Sequence, residues 1–276
     1  MLTKTKSSHM LDFVKVQAKK KFGQNFLINE GVQKRFAEVS HVILEQNSAL
    51  TKIIEVGPGM GAVTQHLVQL ALPLEVYEID SEAVLFLQNS SFANKLTIHS
   101  EDFLQIVEMG FQESNYLFVS NLPFNVGSRI LVDLTLQDFV PPIVVVLQKE
   151  VIDKLLKKDG FSLFGGWLAL FWDFTKIMDI APGSFSPAPK VFSTLVSGMP
   201  YAEMWNIETR HTALNWLKKL VRYPSKSLRN NLLSELTLPQ IEDLYLSLQL
   251  AETTRLNWEN YHKILAYLLD LDTKKV

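Results

Sequence analysis

Apolar positions along this chain follow two rhythms. Val32, Phe36, Val39 and Ile43 recur at helical spacing and predict a helix starting near Glu30. From residue 52 onward, short apolar runs alternate with helical stretches. Residues 52–56, 74–78, 96–99, 116–119 and 143–148 read as strands, the last a nearly continuous β-branched run of the kind that is covered on both faces. Between them, Val63, Leu67 and Leu70 mark one helix face, and Ile130, Leu131 and Leu134 mark another after Ser128. This alternation predicts an α/β fold with a doubly wound, mostly parallel sheet. Residues 165–172 read as a late strand, and residues 194–197 as the strand that closes the sheet. After Pro200 the rhythm becomes purely helical: Leu214, Leu217, Leu220 and Val221, then Leu228, Leu232, Leu233 and Leu236, then Tyr261, Ile264, Leu265 and Leu268. The expected division is a sheet domain over residues 1–199, with an N-terminal basic arm in 1–28, and a small all-helical domain over 200–276.

The ends of the strands carry the candidate chemistry. Ligands of open parallel sheets bind at the carboxyl ends of strands, where Gly57, Glu78, Asp102 and Asn121 all fall. Gly57-Pro58-Gly59-Met60-Gly61 forms a Gly-rich turn between a strand and a helix, which brings backbone close to a ligand. It lacks the G-x-G-x-x-G spacing of dinucleotide sites, and the chain has no P-loop. Glu78 lies 21 residues after Gly57, about the spacing that puts an acid on ribose hydroxyls. A nucleoside without phosphates, S-adenosylmethionine, fits this arrangement better than a nucleotide. Asp102 can accept a hydrogen bond from an adenine amine. Asn121-Leu122-Pro123-Phe124 leaves its strand with an amide, a proline that cannot extend a paired strand, and a ring. Such a stretch can grip a flat, amine-bearing base, although the same residues also suit a strand-ending turn. Phe185, on a proline-rich loop, is either a second stacking ring or a core anchor.

Composition narrows the classes. Hydrophobic residues make up 47% of the 276, enough for a substantial core, and no apolar run spans a bilayer. The absence of Cys excludes disulfides, thiolate metal sites and a Cys nucleophile and fits a reducing, cytoplasmic setting; no metal site is expected. Net charge is −2, which excludes a uniformly basic nucleic-acid binder. The charge is uneven, however. Residues 1–35 and 209–234 each carry +6, the latter through Arg210, Lys218, Lys219, Arg222, Lys226 and Arg229 with no acid among them, so the rest of the chain carries −14. These basic segments are either a phosphate track or solvated faces.

With these motifs in order, the chain resembles the small-subunit ribosomal RNA adenine N6,N6-dimethyltransferases (the KsgA/RsmA type), and more distantly the Erm methyltransferases and the mitochondrial transcription factor B proteins. The resemblance covers roughly residues 19–260. It rests on Phe22-Gly23-Gln24-Asn25-Phe26-Leu27, on Glu55 to Gly61 as E-x-G-P-G-x-G, and on Glu78-Ile79-Asp80 as E-x-D. Glu101-Asp102-Phe103 is similar to the adenine-binding acid motif, and Asn121 to Asn125 to the catalytic N-L-P-Y-N. Gln148 to Val151, Phe185 to Val191 and Lys226 to Leu232 are similar to Q-K-E-V, F-x-P-x-P-K-V and K-x-L-R-N-x-L. The resemblance implies a Rossmann-like sheet with a helical C-terminal domain and S-adenosylmethionine bound by Asn25, Leu27, Gly57, Gly59, Glu78, Ile79, Asp102 and Asn121. It implies that Asn121 and the Leu122 carbonyl accept from the target amine, with Pro123 shaping the turn and Phe124 and Phe185 sandwiching the adenine. It implies RNA contacts through Lys218, Lys219, Arg222, Lys226 and Arg229. The implied activity is dimethylation of two adjacent adenosines near the 3′ end of small-subunit rRNA, on a pre-30S particle, by a monomer away from membranes. An adenine N6-methyltransferase acting on large-subunit rRNA, or a low-activity ribosome-assembly factor, are the alternatives. The chain departs from the pattern at Phe124, where Tyr is usual, and at Pro224-Ser225, where the family has an Arg pair.

Overall fold

The computed structural model describes residues 19, 23–123, 125–156 and 160–273. In chain order the elements are β1 (Phe26–Leu27), α1 (Glu30–Gln46), β2 (Lys52–Val56), α2 (Thr64–Leu67), β3 (Leu74–Tyr77), α3 (Ser81–Gln88), β4 (Leu96–His99), α4 (Phe103–Glu108), β5 (Tyr116–Ser120) and α5 (Gly127–Leu134). They continue with β6 (Ile143–Gln148), α6 (Lys149–Leu155), α7 (Leu163–Leu168), β7 (Trp172–Ile180), β8 (Phe185–Ser186), β9 (Ser193–Pro200), α8 (Ile207–Leu220), α9 (Leu228–Leu232), α10 (Leu238–Ser247) and α11 (Tyr261–Thr273). The five strands expected from the apolar runs join β7 and β9 in one seven-stranded sheet of order β4-β3-β2-β5-β6-β9-β7. Neighbours from β4 to β6 are parallel, and β9 pairs antiparallel with both β6 and β7.

The central strands β5 and β6 are buried on both faces, which explains their unbroken apolar runs. Leu117 and Val119 of β5, with Val144 and Val146 of β6, pack on the α1 side with Phe36, Val39 and Ile43. Tyr116 and Phe118, with Ile143, Val145 and Leu147, pack on the other side against α5, α7 and the C-terminal helices. That second core runs without a break from Phe118 to Leu217, Ile241 and Leu265. Arg210 of α8 reinforces the junction: it is 6% exposed and donates to the main-chain carbonyls of Thr135, at 3.1 Å, and Gln137, at 2.7 Å.

Two expectations are corrected. Residues 163–168 form helix α7 rather than a strand, with Ser162 capping it by accepting from the Gly165 N–H at 3.1 Å. The strand begins only at Trp172. Nor do residues 194–197 close the sheet. Their strand, β9, lies inside it, and β7 takes the edge. The reason is burial: β9 is covered through most of its length, whereas β7 alternates with exposed polar positions such as Asp173 and Asp179, which an edge can keep in water.

Candidate active site

Strand order reverses beside β2, whose neighbours are β3 and β5. This is the position at which open parallel sheets bind ligands. The Gly-rich turn leaves the sheet from β2 and the Asn121 stretch leaves from β5. The buried Ser120 hydroxyl donates to the Val56 carbonyl at 2.5 Å and so pins the two strand ends together. Gly57, Gly59 and Gly61 all have positive φ, of 65°, 54° and 73°. At Gly59 a Cβ would also come within 3.0 Å of the Phe26 ring, so the turn passes flat beneath β1.

A cavity of about 1080 Å³ opens at this switch point. Asn25, Leu27, Gly57, Gly59, Glu78, Ile79, Asp102, Asn121, Leu122 and Pro123 all line it, so the structure brings the sequence-read cofactor residues into one wall. Glu78, 5% exposed, accepts from the Gly59 N–H at 3.0 Å through Oε2 and from the Asp80 N–H at 2.8 Å through Oε1. Burial raises its carboxyl above the ordinary 4.5, and these N–H groups oppose the rise. Asp102 caps α4 by accepting from the Leu104 N–H at 3.0 Å through Oδ1, which leaves Oδ2 for another donor. Asn121 donates its Nδ2 to the Asn25 carbonyl at 3.0 Å. That bond fixes the amide, and its Oδ1 has no partner among the described residues. Leu122 is buried over the start of α5, where a Cβ on Gly127 would lie 2.8 Å from the Leu122 Cβ. Only a residue without a side chain lets α5 start so close beneath Leu122.

The N-terminal segment forms one side of the cavity. β1 pairs with β8 across the chain, Phe26 opposite Ser186. The Lys19 ammonium meets Asp80 at 2.6 Å and Glu82 at 2.9 Å, and the Gln24 amide donates to Asp80 at 3.1 Å. Burial alone would raise the Asp80 carboxyl, but Lys19, Gln24 and the Glu82 N–H hold it below its usual range. Asp80 is thus the anchor of this segment. Sequence reading noted it only within E-x-D, although its place at the N-cap of α3 was the available signal.

Two stacking expectations stand differently. The Phe185 ring is 3% exposed and lies in the α1-side core with Leu27, so it is a core anchor rather than a cavity-facing platform. Phe124 lies outside the described residues. Among the cations expected on RNA, Lys219 is paired with Glu235 at 2.7 Å and Arg229 with Glu252 at 3.3 Å.

Sequence reading also missed Glu55 as a titrating group. It is 2% exposed on the cavity wall, and its Oε2 has no hydrogen-bond partner, nor does Thr64 Oγ1. Burial, with the nearby Glu78 charge adding to it, pushes this carboxyl up to about 8. A carboxyl raised on folding holds its proton in the folded state, so its contribution is full below about 4.5 and is lost as pH rises toward 8. We expect wild type to lose stability, on the order of a few kcal/mol, relative to Glu55→Gln between pH 5 and pH 8.5, with little further divergence above that. Denaturant midpoints across pH check this; parallel profiles for the two proteins would contradict a neutral Glu55.

Fold and site together define a Rossmann-like methyltransferase. Solved structures of the same architecture include the 23S rRNA methyltransferase ErmE, at TM-score 0.66 and 18% identity over 88% of this chain and 99% of that one. Another is a dimethyladenosine transferase from Plasmodium falciparum, at TM-score 0.68 and 19% identity over 91% and 98%. Within that class the chain belongs to the ribosomal RNA adenine dimethylase family, whose model matches residues 15–271. It is 34% identical to ribosomal RNA small subunit methyltransferase A of Neisseria meningitidis over 221 residues, covering 78% of this chain and 83% of that protein. It is 30% identical to the protein of the same name from Colwellia psychrerythraea over 263 residues, covering 92% and 85%. No helix among the described residues is long and apolar enough to cross a membrane.

Proposed function

We propose that this chain dimethylates N6 of two adjacent adenosines near the 3′ end of small-subunit rRNA, using S-adenosylmethionine, on a ribosomal precursor particle. The observation that carries the reading is the pairing of two strand ends: the Gly turn after β2 and Asn121 after β5, tied together by Ser120 and opening on one cavity. The residues present suit the cofactor. Glu78 offers a buried carboxylate edge for ribose hydroxyls, and Asp102 an open carboxylate oxygen for an adenine amine. When bound, S-adenosylmethionine supplies a methyl group already activated on sulfur.

The chain's own part is positioning. An adenine amine is a weak nucleophile because its lone pair is delocalised into the ring. In this reading Asn121 Oδ1 and the Leu122 carbonyl accept its two N–H bonds. Accepting both favours the pyramidal nitrogen of the transition state over the planar ground state, so these bonds strengthen as reaction proceeds. The surplus proton leaves to water after transfer, so no general base is required at Asn121.

Immature small subunits incubated with methyl-labelled S-adenosylmethionine are expected to yield N6,N6-dimethyladenosine, identified by nucleoside mass and mapped by position. Product mapped only to large-subunit RNA would move the assignment to the Erm type of target. Binding to the particle without turnover, with wild type and Asn121→Ala equally silent, would leave an assembly factor.

A further inference from the structure

The basic segment of the helical region separates into two sets. Arg210 is buried in main-chain hydrogen bonds, and Lys219 and Arg229 are held by carboxylates. Lys218, Arg222 and Lys226 have no carboxylate within ion-pair distance among the described residues. Lys218 lies in the last turn of α8, and Arg222 follows just beyond the helix end. Lys218 also lines a second cavity, of about 560 Å³, whose opposite wall includes Ser128 and Arg129 of α5. α5 follows directly on the Asn121 turn, so this second cavity and the candidate active site flank the same helix.

Tyr223 follows Arg222 directly in the chain. Its ring is 43% exposed, with Lys226 Nζ 4.1 Å and Arg222 Cζ 5.6 Å from the ring centroid. The ring is carried on a fixed backbone. Asn231, 6% exposed, accepts from the Tyr223 N–H and donates to the Tyr223 carbonyl, both at 3.1 Å. The Lys226 N–H donates to the same carbonyl at 3.0 Å, and Pro224 restricts the conformation available to Tyr223. A buried amide spending both its donor and its acceptor on one residue's backbone holds that residue in a single pose. The cation–ring contacts alone do not account for it, since exposed pairs of this kind contribute little stability. An exposed ring on a fixed backbone, with two cations against it, has the elements of a single-strand RNA contact: a ring for a base, cations for the flanking phosphates.

We propose that Tyr223 is a stacking platform for an unpaired RNA nucleotide, with Arg222 and Lys226 engaging the phosphates on either side. The proposal rests on the RNA-directed reading above and adds a residue and a strandedness to it. Stacking is insensitive to salt, whereas phosphate contacts are not, so the two contributions separate.

Anisotropy titrations of the full chain with a labelled oligoadenylate, and with duplex RNA of equal length, at several salt concentrations test it. Tyr223→Ala is expected to weaken oligoadenylate binding about tenfold or more, with the duplex unaffected and the salt slope unchanged. Tyr223→Phe should bind like wild type. Arg222→Gln and Lys226→Gln should each flatten the single-strand salt slope by about 0.7. Oligoadenylate binding by Tyr223→Ala equal to wild type overturns the platform, as does an equal loss on duplex. Competition by polyglutamate as effective as by RNA would assign the surface to an acidic protein instead. If wild type methylates ribosomal RNA while Tyr223→Ala is unaltered in binding, only the platform falls; if wild type binds no RNA, the platform and the functional reading fall together.

Discussion

Asn121→Ala should lower methyl transfer by about two to three orders of magnitude, the usual cost of losing one preorganised group that acts on the transition state. The amide is fixed at one end by the Asn25 carbonyl and meets nothing among the described residues at the other. Its free oxygen is therefore already oriented before substrate arrives. A contact that strengthens only as nitrogen becomes pyramidal belongs to kcat, so S-adenosylmethionine affinity should fall no more than a few-fold. Loss of the Nδ2 bond costs about 1 kcal/mol of stability, too little to unfold a chain of this size. Asn121→Asp is a sharper variant: it keeps an acceptor but faces the Asn25 carbonyl with oxygen against oxygen, and it should recover little activity. Single-turnover rates beside calorimetric cofactor binding check both. A rate for Asn121→Ala within threefold of wild type would remove Asn121 from the chemistry.

Glu78→Gln is expected to weaken S-adenosylmethionine binding about 10- to 100-fold, the value of one or two charge-assisted hydrogen bonds. Both carboxylate oxygens are already occupied by backbone N–H groups, of Gly59 and Asp80. A carboxamide must set its own NH2 against one of these donors. The near-isosteric change should therefore hurt nearly as much as Glu78→Ala, because it disturbs the Gly turn as well as the ribose partner. Calorimetry reads the affinity directly, and unchanged binding would place the ribose elsewhere.

Much of this architecture was legible before the structure. The runs at β5 and β6 were clear because burial on both faces leaves an apolar stretch between polar strand ends. Gly57, Glu78, Asp102 and Asn121 could be grouped because parallel strands deliver their carboxyl ends to one edge. The failures have physical causes. Residues 165–172 are apolar without a period, and the helix there depends on Ser162 as cap and on Gly166, where a Cβ would lie 2.4 Å from the Phe161 ring. Tertiary closeness of that sort leaves no periodic trace. Phe185 was ambiguous because a ring on a proline-rich loop looks the same in sequence whether it turns outward or inward. Its inward turn follows from β1–β8 pairing, a contact across most of the chain. Glu55 was hidden for a similar reason: its burial and its closeness to Glu78 arise only in the folded sheet.

The β1–β8 ribbon has a consequence for how the protein is made. Phe26 leaves the ribosome early, but its partner Ser186 is synthesised far later. At roughly 5–20 residues per second that interval is about 8–30 s. During it β2 to β6 can already pair, while the wall bearing Asn25 has no strand to dock on. The Asn121 amide therefore gains its orienting carbonyl only after the sheet exists. The segment bearing Asn25 is made before β2 to β6 yet placed after them, and the nascent chain holds five of the seven strands for seconds before its candidate site can assemble.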